Sequence, residues 1–355
     1  MVAGRVVSSV VQRQVKYVRT VPPAAAEGLV DAVYRQVAEE MRLVVPPVLL
    51  HSPAPPVLAA YWMLMREPLM TGGSVDRLGK EAVAAAVSVA NICPYCVDMH
   101  SMGMYDLSTE HDAEAIVADK VEEVADARVR DLAAWARAAH QPDAPAARWA
   151  PFAEADRPEL VGVAVCFHYL SRMVNVFLSS FLLPPRLGPR ARRRLKQGIS
   201  KVLSASLREI RPPGRSLPLL PEAPLPADAA WAAGSPTVAS AVARSYAAFE
   251  AAGERSLSPA VRDLVHRRLE TWRGEETGLS REWCELLITE LPEADRAAGR
   301  LALLVALASY QVDEDVVREF RIGRSDDAAL VEAVAWASFA AARRVGSWHL
   351  VGCAP

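Results

Sequence analysis

One short segment constrains this chain most, because it combines an interrupted helical pattern with two closely spaced cysteines. An apolar helical run stops near Asn91, and Cys93 and Pro94 follow almost at once. Proline is favoured at the first position of a helix. The sequence therefore predicts a junction between two helices, with Cys93 as the N-cap of the second helix and Cys96 in its first turn.

The spacing of four side chains around this junction suits thiol chemistry. Cys93 and Cys96 are three residues apart, close enough for a disulfide. Cys96 and His100 share a helix face, so the imidazole can hold the thiol proton or pass it on. Glu81, on the preceding helix, can orient His100 if the two helices pack antiparallel. The dipole and unpaired N–H groups of the first turn favour a thiolate, so we expect the pKa of Cys96 to fall from about 8.5 into the range of roughly 3.5–7.5.

The rest of the chain favours helices over sheets. Alanine is abundant, and aromatic residues make up only 6% of the 355 residues. We therefore expect an all-α fold. Helical periodicity predicts helices over residues 27–45, 57–66, 74–91, 109–118 and 121–139.

Three residues are predicted to cap helices. Ser74 is a good N-cap for the helix that leads to the cysteines. Asp156 and Glu159 have the spacing of a capping box for a long apolar helix that reaches residue 183. Polar side chains interrupt this helix, so it is interpreted as a buried core helix and not as a membrane span.

Composition divides the chain into three parts. Residues 1–185 are predicted to form a helical domain with the redox site, and residues 236–355 a second helical domain. Residues 186–235, rich in arginine and proline, are predicted to be a linker region. Its arginine cluster lacks interleaved aromatic residues, so a solvated helix face is favoured over a phosphate site. The cluster comprises Arg190, Arg192, Arg193 and Arg194.

A faint internal repeat relates the two helical domains. Residues 79–96 resemble residues 298–315 in texture. The predicted repeat places Gln311 and Glu314 where the first copy has its two cysteines. We therefore expect a duplicated helical bundle whose degenerate second copy has lost the redox site and serves as scaffold.

Charge and cysteine usage bound the partners and the compartment. The formal net charge is -2, which gives no reason to expect nucleic acid or a membrane as partner. Five cysteines with a single close pair do not form a secreted disulfide framework. Gln12 and Arg13 break the apolar stretch at the N-terminus, which argues against a secretory signal. We expect a cytoplasmic protein.

The pattern Glu, eleven residues, Cys-x-x-Cys, three residues, His resembles alkylhydroperoxidase D and its relatives in the carboxymuconolactone decarboxylase superfamily, most specifically over residues 74–107. The resemblance implies an all-helical fold, a homo-oligomer, and a thiol-dependent peroxidase of the peroxiredoxin type. It implies that Cys96 attacks a hydroperoxide, that Cys93 resolves the product, and that His100 and Glu81 relay protons. It further implies no bound cofactor or metal, and an external reductant: a lipoamide-like dithiol, or a thioredoxin-like or lipoyl protein.

The match has one departure. Tyr95 stands between the two cysteines, where the family's best-studied peroxidases place a histidine. Tyrosine is a poor proton carrier near neutral pH, since its pKa is about 10. The alternatives to a peroxidase are a non-peroxidatic thiol–disulfide oxidoreductase and a scaffold or binding protein with a vestigial redox motif. The segment could also bind zinc with one further ligand, but no second close-spaced ligand pair accompanies it.

Several other side chains are candidate pocket residues. Tyr95, His168 and Arg172 are second-tier candidates, and the last two share a helix face with Asn175. That face is interpreted as a buried polar seam between helices or subunits, or as substrate contacts. Three further histidines are expected to be surface histidines, and three further cysteines ordinary thiols. They are His51, His111, His140, Cys166, Cys284 and Cys353.

Overall fold

The computed structural model describes residues 14–179, 182–183, 186–323 and 326–350, without the side chains of residues 189 and 202–205. The N-terminal residues Gln12 and Arg13, discussed above, lie outside the described residues, as does Cys353. The described residues contain no β-strand, only isolated bridges such as the one between Val15 and Leu178. The predicted all-α fold is confirmed.

Sixteen α-helices make up the described part of the chain. The first nine are α1 (Gly28–Met41), α2 (Pro46–Leu49), α3 (Pro55–Met65), α4 (Arg77–Ala90), α5 (Pro94–Leu107), α6 (Glu110–Val117), α7 (Ala127–Ala138), α8 (Pro145–Arg148) and α9 (Arg157–Phe177). The others are α10 (Pro189–Arg208), α11 (Pro236–Ser256), α12 (Pro259–Thr271), α13 (Glu282–Ile288), α14 (Glu293–Ala308), α15 (Glu314–Phe320) and α16 (Asp327–Gly346). A π-helical turn, Arg66–Met70, continues α3. The predicted helices lie within a few residues of α1 and α3 to α6, but α7 begins only at Ala127, after a separate short turn.

The predicted caps around Ser74 and Glu159 are wrong. Asp76 caps α4, where its side chain accepts a hydrogen bond from the Gly79 N–H at 2.8 Å. Ser74 instead donates its N–H and hydroxyl to Glu159 Oε1, at 2.8 and 3.0 Å. Glu159 also forms a buried ion pair with Lys80, so it is not free to complete a capping box. The N-cap of α9, Asp156, makes no side-chain cap hydrogen bond.

The long apolar helix α9 is a core helix, as predicted. Residues Glu154–Phe177 have the length and composition of a membrane span, but 94% of their most apolar window is buried inside the fold. The helix ends at Phe177 and does not reach residue 183, because Leu178 turns into the isolated bridge with Val15. The helix packs against α4 on one side and α16 on the other.

The segment predicted as a linker contains the docked helix α10, which packs on α5. Arg192 and Lys196 bind the buried Asp98 of α5, with N–O distances of 3.3 and 3.4 Å. Arg190 and Arg194 are exposed to solvent. The ion pairs with Asp98 hold α10 over the outer face of the helix that carries the cysteines.

The order of helices in the second half repeats part of the first. α14, α15 and α16 occur in the same order as α4, α5 and α9, although α6 to α8 separate α5 from α9, and α14 packs on α16 as α4 packs on α9. The N-caps Cys93 and Asp313 set the register between the copies. Asp313, and not Gln311, therefore takes the place of Cys93, and Val316, not Glu314, follows it in the first turn. The predicted register was two residues off.

The two halves share one hydrophobic core. α9 packs against α16, and α3 packs against α11. Tryptophans from both halves, including Trp62, Trp231 and Trp336, are fully buried in it. The junction between α4 and α5 lies against this core, which fixes the position of the cysteines.

Candidate active site

The junction between α4 and α5 is a tight turn that presents the cysteines. Asn91 ends α4, and Ile92 adopts a left-handed conformation with φ of 51°. This conformation lets the Cys93 N–H donate to the Ser88 carbonyl at 3.0 Å, across the end of α4. Pro94 then opens α5 with Cys93 as the N-cap, as the sequence predicts.

The two cysteines form a buried pair of free thiols. The Cys93 thiol donates to Cys96 Sγ at 2.8 Å. Cys93 is 1% exposed and Cys96 is 2% exposed. The sulfur atoms can therefore join without a change in the course of the backbone, and bulk water has little access to either of them.

The pKa of Cys96 shifts in the direction opposite to the prediction. Burial and the neighbouring Cys93 thiol raise the pKa of Cys96 well above its usual range, and the Ser171 hydroxyl acts in the opposite direction without offsetting them. The helix start was expected to lower this pKa. Because Cys96 is fully buried, the loss of hydration destabilises its thiolate more than the helix N-terminus stabilises it. The Cys96 thiol therefore stays protonated near neutral pH.

Glu81 and His100 form a hydrogen-bonded pair. Glu81 Oε2 lies 2.7 Å from His100 Nδ1, so α4 and α5 bring the two side chains together. Arg77, one turn earlier on α4, donates Nε to Glu81 Oε1 at 2.7 Å. Although burial opposes ionisation, Arg77 and His100 lower the pKa of Glu81 to about 2. Gly103 makes room for the carboxylate, since a Cβ there would lie 3.3 Å from Glu81 Cδ.

A mostly apolar cavity of about 160 Å³ opens onto this pair. His100, Glu81 and Arg77 form its polar wall, and the edge of the Phe167 ring holds His100 from the other side, with 4.4 Å between ring centroids. The apolar wall comes from α1, α3, α5, α9 and α10 and includes Met41, Leu43, Met65, Met99, Leu170 and Leu207. The cavity can hold a small apolar molecule beside the imidazole.

Tyr95 is buried close to the two thiols. Its hydroxyl has no hydrogen-bond partner among the described residues. Burial and the nearby thiols raise the pKa of Tyr95, so the phenol stays protonated. Tyr95 does not line the cavity that holds Glu81 and His100.

His168, Arg172 and Asn175 do form a buried polar seam, which meets the α4–α5 turn at Asn91. Asn91 lies 2.9 Å from His168 Nδ1 through its side-chain amide and accepts from Arg172 Nη1 at 2.5 Å. Asn175 donates to the Asn91 carbonyl at 3.0 Å and reaches Ser309 in the second half. The seam anchors the residue two positions before Cys93.

Two histidines that were expected at the surface are buried. His51 lies under the site, stacked on Tyr61 and 2.8 Å from the Tyr169 hydroxyl. His140 packs beside His168, with 5.9 Å between ring centroids. Both expectations rested on nearby turn or charged residues, which say nothing about what packs over them. His111 is exposed, as expected, and Cys166 and Cys284 are free buried thiols.

Comparison with known proteins places these residues in a family. The model of the carboxymuconolactone decarboxylase family matches residues 56–140. Over 334 residues, which are 94% of each chain, the sequence is 37% identical to the alkyl hydroperoxide reductase Rv2159c of Mycobacterium tuberculosis. The chain belongs to the carboxymuconolactone decarboxylase family. The matched segment runs from α3 to just past α7 and contains both cysteines, Glu81 and His100.

In this member of the carboxymuconolactone decarboxylase family, two polar residues of the site were not predicted from the sequence. Arg77 stands four residues before Glu81, and this helical spacing was a signal that could have revealed the pair. Asn91 gave no signal, because its partners lie on α9, far away in the sequence. Within the described residues, no group of three or more His, Cys, Asp and Glu side chains is arranged to hold a metal ion.

Proposed function

We propose that this chain is a thiol-dependent peroxidase that works through a Cys93–Cys96 dithiol–disulfide cycle. The observation that carries the proposal is the pair of thiols 2.8 Å apart on the helix that also presents His100 to Glu81 at 2.7 Å. The similarity to a protein described as an alkyl hydroperoxide reductase supports the same reaction class.

The proposed cycle has three steps. The Cys96 thiolate attacks the outer oxygen of a hydroperoxide, so that the O–O bond breaks, Cys96 becomes a sulfenic acid, and the alkoxide leaves as an alcohol after it takes a proton. The Cys93 thiol then attacks the Cys96 sulfur, which forms the disulfide and releases water. An external dithiol reduces this disulfide by thiol–disulfide exchange and is itself oxidised.

The Glu81–His100 pair would move the protons of this cycle. Glu81 stays ionised at any physiological pH, since its pKa is about 2. It therefore holds the proton on Nδ1 of His100 and leaves Nε2 as the basic nitrogen. This nitrogen would accept the Cys96 proton, directly or through one water, and return it to the leaving alkoxide. The raised pKa of Cys96 makes this base necessary.

The apolar cavity is the proposed site for the hydroperoxide. Its lining of methionine and leucine side chains favours an organic hydroperoxide with a small apolar substituent over hydrogen peroxide, since burial of each apolar group contributes favourably. The proposed reductant is a lipoamide-like dithiol or a thioredoxin-like or lipoyl protein. We also propose that the chain acts in a reducing compartment such as the cytoplasm, as a homo-oligomer.

One observation favours a second function, thiol–disulfide exchange without peroxide. Tyr95 stands between the cysteines and offers no base, because its phenol stays protonated. A site of this kind exchanges disulfides with a partner dithiol but depends on His100 alone for proton transfer to a peroxide. A chain with no turnover in either reaction would be a scaffold with a vestigial motif.

The test is a turnover assay with cumene hydroperoxide and dihydrolipoamide on the full chain. We expect steady consumption of hydroperoxide by the parent, and none by Cys96→Ser. Cys284→Ser is the matched control, because it removes a buried cysteine on α13, and it should leave the rate unchanged. Exchange between dihydrolipoamide and a disulfide dye without hydroperoxide consumption would establish the second function and overturn the first.

A further inference from the structure

A second cavity lies where the α4–α5 turn meets the second half of the chain. It has a volume of about 50 Å³ and shares no lining residue with the apolar cavity. A cavity needs about 10–15 Å³ to hold one water, so this one has room for a few non-hydrogen atoms. Its polar lining residues include Asn91, His140, Arg172, Thr277, Ser309 and Tyr310.

Arg172 brings a positive charge into this cavity that no acidic residue neutralises. The side chain is 6% exposed. Nε donates to the Ala306 carbonyl at 3.0 Å, and Nη1 donates to Asn91 Oδ1 and the His168 carbonyl, at 2.5 and 2.6 Å. These acceptors are neutral, and no carboxylate of the described residues forms an ion pair with Arg172. Burial lowers the pKa of Arg172 to about 10, as expected for an uncompensated cation.

Another buried arginine shows how this fold normally treats such a charge. Arg66, where the π-helical turn begins after α3, is fully buried and forms ion pairs with Glu40 at 2.9 Å and Glu67 at 2.6 Å. Burial of a cation carries a desolvation penalty, which an ion pair with a carboxylate offsets in part. Arg172 therefore stands out as a buried cation with a cavity where Arg66 has carboxylates.

Three further polar groups around Arg172 lack partners. His140 Nδ1, His168 Nε2 and Thr277 Oγ1 are buried atoms without a hydrogen-bond partner among the described residues, and both histidine side chains are more than nine-tenths buried. Unsatisfied buried polar atoms are rare in native proteins and need an explanation. Here the unpaired atoms of His140 and Thr277 belong to residues that line the same small cavity as Arg172.

The acidic residues at the cavity do not supply the missing charge. Glu275 and Glu276 contribute to its lining, but both are exposed, and Glu275 Oε2 accepts from the Arg273 N–H at 2.9 Å. Neither carboxylate perturbs Arg172 or His140. The pKa of Arg172 responds to burial alone, and that of His140 falls to about 4 through burial and two arginines. The inner part of the cavity is therefore positive.

We propose that this cavity binds a small anion, either a carboxylate or an oxoanion such as phosphate or sulfate. The anionic oxygens accept hydrogen bonds from the Arg172 guanidinium and from the hydroxyls of Thr277 and Ser309, and an N–H of His140 adds a further donor. Asn91 lines the cavity and accepts from Arg172, so the bound anion lies against the turn that leads to Cys93.

The test is calorimetric titration of the full chain with acetate, phosphate and sulfate against chloride at matched ionic strength, with thermal unfolding in the same buffers. We expect saturable binding of at least one of the three and a rise in Tm that chloride does not give. Tighter acetate binding identifies the carboxylate end of a larger molecule as the ligand type, and tighter phosphate or sulfate binding identifies a free oxoanion.

Three variants decide whether the anion binds in this cavity. Arg172→Gln should weaken binding by about 30-fold or more, as loss of a buried charged partner does. Thr277→Val, which keeps shape and fold, should weaken it by about 3- to 10-fold through one hydrogen bond. Arg194→Gln, an exposed arginine of α10, is the matched control and should leave binding unchanged. Absence of saturable binding, equal effects of chloride, full binding by Arg172→Gln, or a loss in Arg194→Gln with full binding by Thr277→Val would overturn the proposal.

Discussion

Glu81 is a carboxylate that stays charged although it is buried. Arg77 lies 2.7 Å from one oxygen, and His100 lies 2.7 Å from the other. Loss of either partner leaves one oxygen of the buried Glu81 carboxylate without its hydrogen bond, so these three residues act as a unit. Effects of substitutions inside such a unit are not additive.

We predict that the Glu81 and His100 substitutions share one effect. His100→Gln removes the base that takes the Cys96 proton, and Glu81→Gln removes the group that holds the imidazole in the right tautomer. Each should slow thiol alkylation and peroxide consumption at pH 7 by about 10²–10⁴-fold, the usual contribution of general acid–base catalysis. The double variant should lose little more than the worse single one. Alkylation kinetics and peroxide consumption over a pH series measure this, and additive losses would show that the residues act separately.

Tyr95→Phe provides the control for that experiment. The Tyr95 hydroxyl is buried without a hydrogen-bond partner among the described residues, so its removal disturbs no contact. We expect alkylation and peroxide rates close to those of the parent. A large loss in Tyr95→Phe would mean that the phenol has taken over the role of the histidine that the family's best-studied peroxidases place there.

At the scale of the helices, the junction between α4 and α5 has an unusual residue at its centre. Ile92 has φ of 51°, in the left-handed region where a β-branched residue is unfavourable. Glycine or asparagine usually occupies this position after a helix. Ile92 is also 51% exposed, so packing of its side chain compensates only part of this backbone strain.

We predict that Ile92→Gly stabilises the protein. The left-handed conformation costs a residue with a side chain about 1–2 kcal/mol, and glycine removes this cost. The greater freedom of glycine in the unfolded chain offsets part of the gain, so the net stabilisation should be about 0.5–1 kcal/mol. Denaturant unfolding at pH 7.5 measures the difference. Ile322→Gly is the matched control, since Ile322 is 78% exposed but has no positive φ, and it should destabilise. Equal destabilisation by both variants would contradict the prediction.

The sequence was sufficient for those elements that depend on neighbouring residues. Pro94 at the first helical position predicted the start of α5 and the cap at Cys93, because this preference is local. The caps failed where a distant partner intervened: Ser74 donates to Glu159, which is 85 residues further along the chain. The burial of His140 depends on α9 and on the close approach of Gly274, and no local pattern in the sequence encodes such contacts.

At the scale of the whole molecule, the register between the two halves explains why only one carries the candidate site. If Asp313 takes the place of Cys93, Leu301 takes the place of Glu81 and Phe320 that of His100. Leu301 and Phe320 are both buried in the shared core. We infer that the second copy exchanged its polar side chains for apolar ones and contributes to stability through packing.

Buried histidines make the stability of this shared core depend on pH, among them His168, whose pKa burial lowers well below its usual value. Burial is the main cause that lowers the pKa of His51 to about 3 and the pKa values of His140 and His349 to about 4. The unfolded value is about 6.5, so the unfolded chain binds more protons in this range. Their contribution to stability is complete above pH 6.5 and is lost as the pH falls towards the folded pKa values.

We predict that the free energy of unfolding decreases from pH 7.5 to pH 5, by on the order of 1–2 kcal/mol per histidine. Carboxylates such as Glu81 titrate below this window and contribute little to the change. Denaturant unfolding in chloride buffers at several pH values measures the slope. His140→Asn should make this slope shallower, because it removes one titrating imidazole. The substitution breaks no hydrogen bond of Nδ1, which has no partner among the described residues. A stability that is constant between pH 7.5 and pH 5 would contradict the pKa values.

The proposed mechanism gives the two cysteines unequal roles, with Cys96 attacking the hydroperoxide and Cys93 resolving the product. Trapping of the sulfenic acid tests these roles directly. Cys93→Ser and Cys96→Ser are each treated with one equivalent of cumene hydroperoxide and then with dimedone, and the adduct is located by mass spectrometry of peptides. We expect a dimedone adduct on Cys96 in Cys93→Ser and no adduct in Cys96→Ser, while the parent gives only the intramolecular disulfide. An adduct on Cys93 in Cys96→Ser, with Cys96 unmodified in Cys93→Ser, would reverse the assignment and contradict the proposed mechanism.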